Sequence, residues 1–222
     1  MTTIGFIGAG MIGGTVARLS VAAGHHVVLS NSRGPETLAD LVAELGPLAS
    51  AGTTEQAAEA GDIVVVSIPL KAYLSVPVAP LAGQTVIDTN NYYPERDGHL
   101  QRLDNKDLTT SGLLQEHLQG AHVVKVFNNI FFRHLASLAR KPGAEDRTAL
   151  PISGDDEKAK AQVTEFLDSI GYDAVDVGPL AESWRHEPGT PCYGPPYGTF
   201  ENPDGTPASA DKIRAALAAA EK

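Results

Sequence analysis

An α/β fold with a doubly wound parallel sheet, a small C-terminal α/β lobe and an irregular tail is what this sequence predicts. Three observations carry the prediction. Short Val- and Ile-rich runs alternate with segments of helical period; a tight glycine cluster joins the first run to the first helix; and from Glu187 to Pro207 the composition shifts abruptly to Pro, Gly, Tyr and Asn. Strand followed by helix, repeated, implies a sheet covered on both faces.

In order, the expected strands are Ile4 to Ile7, His26 to Leu29, Asp62 to Val66, Thr85 to Asp88 and His122 to Phe127. Helical segments run from Met11 to Ala23, Thr37 to Leu45, Thr54 to Ala60 and Leu113 to Leu118, and Gly24, Gly46, Gly61 and Gly120 stand where left-handed caps suit glycine. A polar connection, Arg140 to Gly143, leads to a second block from Ala149 to Val177. There a short strand, a helix opened by Asp155 or Asp156, and a strand after Gly171 read as a further βαβ-like unit. Ser209 to Ala220 is a terminal helix. The expected division is a dinucleotide-binding domain over 1–120, a lobe over 121–185 that extends or caps the sheet, and a loop with its helix over 186–222.

Composition narrows the partners. With 17 Lys and Arg against 27 Asp and Glu, the net charge of −10 offers no surplus to neutralise a nucleic-acid backbone. One cysteine, Cys192, excludes an intrachain disulfide and a cysteine-rich metal site. The seven histidines show no metal-ligand spacing, so no metal is expected. No apolar run approaches membrane-spanning length, and the expected location is cytoplasmic, with no membrane partner.

Gly8-Ala9-Gly10-Met11-Ile12-Gly13 fits G-x-G-x-x-G, and it follows a strand and opens a helix, the context that turns a weak motif into a dinucleotide fingerprint. Gly8 permits the turn, Gly10 lets a pyrophosphate approach the backbone, Gly13 lets the helix pack on the strand, and the Met11 and Ile12 amides face the phosphates. At the end of the second strand an NAD site usually places a carboxylate. Here Ser30-Asn31-Ser32-Arg33-Gly34-Pro35 has none before Glu36. Neutral donors at Asn31 and Ser32 and a guanidinium at Arg33 suit a 2′-phosphate, so NADP(H) is expected.

The chain resembles the NADPH-dependent oxidoreductases related to the coenzyme F420-dependent NADP reductases, whose Rossmann fold is also the cytosolic domain of the STEAP metalloreductases. The resemblance rests on Gly8 to Gly13, Ser32-Arg33, Val66-Ser67-Ile68-Pro69, Val123 to Asn128, Ser153 to Asp156 and Val177 to Leu180, and spans most of residues 4 to 184. It implies NADP in the glycine turn, with Ser67, Ile68 and Pro69 beside it. It also implies a second redox molecule, F420 or a flavin, in a cleft against the nicotinamide. Asn128 stands where those reductases carry a nicotinamide-side histidine.

Carboxyl ends of strands face the ligand crevice in such sheets. Asn90 and Asn91 are therefore candidates to hold nicotinamide or substrate, Tyr92 or Tyr93 to donate a proton, and Asn128 to complete the reacting site. Lys125, inside a strand, is buried with a partner, placed at an edge, or catalytic. Trp184, Tyr193 and Tyr197 would offer flat surfaces if the tail folds over the cleft, or would bury against a second copy of the chain in a homodimer. The expected activity is hydride transfer between NADP(H) and a small redox molecule. Reduction of a small imine or carbonyl is one alternative, and non-catalytic sensing of NADP(H) is another.

Overall fold

The computed structural model describes residues 1–221. Among them one sheet contains eight strands: β1 (Thr3–Ile7), β2 (His26–Ser30), β3 (Ala49–Ala51), β4 (Ile63–Val66), β5 (Thr85–Asp88), β6 (His122–Lys125), β7 (Thr148–Gly154) and β8 (Tyr172–Gly178). Their order across the sheet is β3-β2-β1-β4-β5-β6-β7-β8. The first six run parallel. β7 pairs antiparallel with β6, Val124 opposite Gly154, and β8 runs parallel to β7. This is a doubly wound Rossmann sheet lengthened on its β6 side.

β4 shows how the sequence makes a two-faced sheet. In Ile-Val-Val-Val every side chain is buried; Ile63 and Val65 enter one core and Val64 and Val66 the other, because successive strand residues point to opposite faces. The helices covering those faces are α1 (Met11–Ala22), α2 (Ala39–Leu45), α3 (Thr54–Ala60), α4 (Pro94–Asp97), α5 (Gln101–Asp104), α6 (Thr110–His117), α7 (Phe132–Ser137), α8 (Glu157–Ser169) and α9 (Ala210–Ala218). Side chains start several of them. Thr53 and Gln56 form a reciprocal capping box at α3, and Asp156 Oδ1 accepts from the Ala159 amide at 2.8 Å to open α8; each such cap contributes about 1 kcal/mol. α1 is different. No side chain caps it and its first turn holds no acid, so the amides at its start face outward from Gly10 unmatched by the protein's own side chains.

Several local expectations need correction. The strand Ala49–Ala51 carries no β-branched residue and was not foreseen; it forms because it pairs with β2. Gly24 and Gly46 do take positive φ, but Gly61 (φ −78°) does not. Gly61 answers to crowding: a Cβ there would lie 2.7 Å from the Ile63 carbonyl oxygen and 2.8 Å from the Gly5 nitrogen. Gly120 likewise lacks positive φ.

The tail is part of the core. Tyr197 and Cys192 are fully buried, the Ala149 amide donates to the Ala208 carbonyl at 2.7 Å, and Ile213 of α9 is buried beside them. Those anchors order a long irregular segment that has little secondary structure of its own. No helix among the described residues is long and apolar enough to cross a membrane.

Candidate functional site

Two of the three glycines of the fingerprint are required by the protein itself. Gly8 has φ +102°, and a Cβ there would fall 2.2 Å from the Ser67 carbonyl oxygen; one on Gly13 would fall 2.2 Å from the Gly8 carbonyl oxygen. Gly10 differs. Its φ of −78° suits any residue, and no atom of the chain lies within 4 Å of where its Cβ would be. Nothing in the fold asks for glycine at 10, and the open space above it lies at the uncapped start of α1.

Next to this turn is a cleft of about 380 Å³, lined by Gly10, Met11 and Ile12 on one side and Ser67, Ile68 and Pro69 at the end of β4. Asn90 and Asn91 follow β5, Asn128 and Asn129 follow β6, and all four line the same cleft because β5 and β6 are parallel neighbours. Fully buried Phe127, with φ +66°, turns the chain out of β6; a bulky residue held there costs about 1–3 kcal/mol, and such strain gathers at functional sites. Asn31, Ser32 and Arg33 stand at the end of β2, apart from this cleft. Asn31 Oδ1 accepts from the Arg33 amide at 2.8 Å and its Nδ2 donates to Thr37 Oγ1 at 2.9 Å, which shapes the loop. The Arg33 guanidinium has no ion pair among the described residues.

The four asparagines are not equivalent. Asn91 and Asn128 use their amides on each other and on backbone: Asn128 Nδ2 donates to Asn91 Oδ1 (3.1 Å) and to the His186 carbonyl (2.7 Å), and Asn91 Nδ2 donates to the Asn128 carbonyl (2.7 Å). They tie the β5 and β6 loops together. Asn90 is 3% exposed and its Oδ1 accepts from the Ile68 amide at 3.1 Å, which fixes its other end as the amino group, and that buried donor has no partner. In Asn129 the reverse holds. Its Nδ2 donates to the Cys192 carbonyl at 2.9 Å and its buried Oδ1 has no partner. Two unmatched polar groups on cleft residues, one donor and one acceptor, are exceptions that a ligand or an ordered water would satisfy.

Behind the asparagines lies a buried charged cluster that sequence reasoning located only at Lys125. Lys125 Nζ donates to the Asn90 carbonyl (3.0 Å) and Ser111 Oγ (3.1 Å), and lies 3.3 Å from Glu187 Oε1 and 3.9 Å from Asp88 Oδ2. Ser111 passes the chain on, donating to Asp88 Oδ2 at 2.5 Å, while Asp88 Oδ1 accepts from the Asn90 amide at 2.9 Å. Burial pushes Asp88 above the usual carboxylate range, opposed by Lys125 and these hydrogen bonds. His186, fully buried, is the other unforeseen residue. Burial, with Lys125 nearby, holds it well below the usual imidazole range, so it is neutral. Asn128 Oδ1 can only accept, so Nδ1 of His186 carries the proton (2.9 Å) and Nε2 accepts from Ser153 Oγ (2.9 Å). No spacing in the sequence links residue 186 to residue 128.

Other candidates move. Tyr92 is not in the cleft: its hydroxyl donates to Asp104 Oδ1 at 2.7 Å and accepts from the Leu100 amide at 2.9 Å, on the opposite side of the loop. Its neighbour Tyr93 lines the cleft instead, hydroxyl to hydroxyl with Tyr193 from the tail, with Arg96 over its ring at 4.8 Å. Consecutive residues of an extended segment face opposite ways, and this separates the two tyrosines. Tyr197 is in the core, bonded to Asn129 and the Ala149 carbonyl, and Trp184 lines a different cavity with Arg185 paired to Glu182. Burial pushes the Cys192 thiol up to about 12, which keeps it an inert core group.

Residues 3–92, which hold the glycine turn and the β4 and β5 edges of the cleft, match the model of the family described as NADP oxidoreductase, coenzyme F420-dependent. A solved structure of a hypothetical protein from Sinorhizobium meliloti is 30% identical, with a TM-score of 0.72 over 85% of this chain and 91% of that one. The chain belongs to this family of NADP oxidoreductases. A structure from Arthrobacter sp. FB24, provisionally assigned as an F420-dependent NADP reductase, shares the fold at 22% identity and a TM-score of 0.68, covering 82% of this chain and 87% of that one. The metalloreductase STEAP3 of Rattus norvegicus is 27% identical over 81% of this chain. The chain spans about a third of the curated relatives it matches, 34% of that metalloreductase and 37% of a protein of Escherichia coli K12.

Proposed function

We propose that this chain binds NADP(H) along the uncapped start of α1 and exchanges a hydride with a planar redox molecule, a deazaflavin such as F420 or a flavin, in the cleft beyond it. The observation that carries the reading is the pairing of an empty space over Gly10 with an orphan donor on Asn90 and an orphan acceptor on Asn129. The amides of Met11 and Ile12 would hold the pyrophosphate, and Arg33, Ser32 and Asn31 the 2′-phosphate. A carboxamide, with one carbonyl and one amino group, is the complement of what Asn129 and Asn90 leave unpaired. When bound, the nicotinamide supplies or takes the hydride.

The chain's own residues supply positioning. Asn91 and Asn128 lock the two loops, His186 fixes the orientation of the Asn128 amide, and Lys125 holds the Asn90 carbonyl. Such a site lowers the barrier by holding two reactants in register, with little acid–base chemistry. For the acceptor, the support is an aromatic rim. Phe131 and Phe200 meet at 4.9 Å, and Phe200 (73% exposed) and Met11 (70% exposed) leave the cleft open at its edge. The tail therefore lines the cleft without filling it, which favours turnover over a non-catalytic sensor.

A second reading has one specific observation behind it. In the Tyr93–Tyr193 pair one hydroxyl donates to the other, and the acceptor's own proton has no partner among the described residues. A small imine or carbonyl would need that proton. Oxidation of NADPH with F420, FMN, FAD and a cyclic imine, followed by loss of nicotinamide absorbance, separates these readings. Turnover with a deazaflavin or flavin that survives Tyr93→Phe supports the first. Turnover confined to the imine and lost by 10²-fold or more in Tyr93→Phe supports the second. No oxidation across the panel overturns both.

A further inference from the structure

A larger cavity, about 550 Å³, lies on the far side of the Asn90–Tyr93 loop and has no lining residue in common with the cofactor cleft. It is bounded by α5, α6, the turn Leu180–His186 and the segment that follows. One wall is apolar and aromatic, with Leu103, Leu108, Leu180 and Trp184. Among the described residues, four carboxylates, Asp107, Asp155, Glu187 and Glu221, line it against a single ammonium, Lys106.

The charge is not balanced from within. Lys125, behind the wall, faces two carboxylates, Asp88 and Glu187, and Glu187 is the one that reaches the cavity, its side chain 18% exposed. Glu187 meets Lys125 and the Thr110 amide through Oε1, and Oε2 has no partner among the described residues. Asp155 Oδ1 accepts from the Leu180 amide at 2.8 Å, and its second oxygen has no partner among the described residues. Arg185 is 4.5 Å from the centre of the Trp184 ring, but its charge is met by Glu182 at 2.7 Å. A partly enclosed space with an aromatic wall and surplus carboxylate suits a molecule with an apolar body and one positive charge.

We propose that this cavity is a second binding site, for a small organic cation whose protonated amine meets the Glu187 and Asp155 carboxylates while its apolar body lies against Trp184. The site stands apart from the cofactor reading and does not depend on it.

Trp184 is the only tryptophan in the chain, so its emission reports the cavity directly. The full chain is titrated with benzylammonium and with its neutral counterpart benzyl alcohol, each with and without saturating NADP⁺. The expected result is a saturable change with benzylammonium, at an affinity roughly tenfold tighter than benzyl alcohol, that persists with NADP⁺ bound. Ala181→Arg, at an exposed position on the wall, is expected to weaken benzylammonium by about tenfold or more, and Asp107→Asn by roughly threefold. NADP⁺ affinity, measured by calorimetry, should be unchanged in both variants, which keeps misfolding out of the reading. Equal response to the charged and neutral probes, no response to either, or a benzylammonium response unaltered in both folded variants overturns the proposal.

Discussion

The glycine turn after β1 and the asparagine loops after β5 and β6 face the same cleft but are built in opposite ways. The turn presents backbone: its specificity lies in what is missing, a Cβ at Gly8, Gly10 and Gly13, and every residue it needs lies within six positions. The asparagine loops present side chains, and each is held by a partner far away in sequence: Asn128 by His186, Asn129 by Cys192 and Tyr197, and the Asn90 backbone by Lys125. A backbone site is rigid as soon as the helix forms. A side-chain site is only as rigid as the tertiary contacts behind it, so damage to the second region should reach stability and geometry together, while damage to the first can be confined to the ligand.

Lys125→Met tests that contrast most severely. It leaves Asp88 and Glu187 without their ammonium in a largely dry setting, and loss of one member of a buried ion pair costs about 3–5 kcal/mol. Denaturant unfolding should show a loss of that size; a loss below about 1 kcal/mol would mean that the cluster is not what holds the loop.

Replacing His186 by Gln should act less on stability at neutral pH and more on its pH dependence. His186 is neutral when folded, with a depressed pKa, whereas the unfolded chain protonates it near the ordinary value of 6.5. Between that value and the lower folded one the unfolded state binds the extra proton, so stability is full above about pH 6.5 and falls as pH drops, by up to about 1.4 kcal/mol per pH unit. Asp88, shifted upward by burial, contributes in the opposite sense at lower pH. The slope between about pH 6.5 and pH 5 should flatten in His186→Gln, and equal slopes in the two proteins would contradict the neutral, buried imidazole.

Tyr92→Phe is the smallest effect. Its hydroxyl bonds Asp104 outside the cleft, so stability should move by no more than roughly 0.5–1 kcal/mol, and NADPH oxidation should be nearly unchanged. A loss of 10²-fold or more would place the proton donor at Tyr92 after all.

The sequence made the first region legible and much of the second obscure for one physical reason. Strand and helix periods, the glycine spacing and the missing acid after β2 are local, and the sheet they imply is the sheet found. Asn90, Asn91 and Asn128 were reachable because strand ends face the crevice. The phase of the loop after β5 was not, since only tertiary packing sets whether Tyr92 or Tyr93 points inward. β3 was hidden because Ala49-Ser50-Ala51 has no strand propensity of its own, and the reversal of β7 because direction is decided by pairing. His186 gave no local signal at all. Lys125 did: a lysine in the middle of Val-Val-Lys-Val-Phe must find a partner or an edge, and it found two carboxylates.

On the proposed reading the space over Gly10 belongs to a dinucleotide, and Gly10→Ala addresses it alone. An alanine methyl there meets no atom of the chain and needs no unusual φ, unlike one at Gly8. Calorimetric titration with NADP⁺, alongside thermal unfolding without ligand, should show affinity reduced by roughly tenfold or more while unliganded stability stays within about 0.5 kcal/mol of the parent. An affinity equal to the parent's in a fully folded Gly10→Ala protein would contradict the claim.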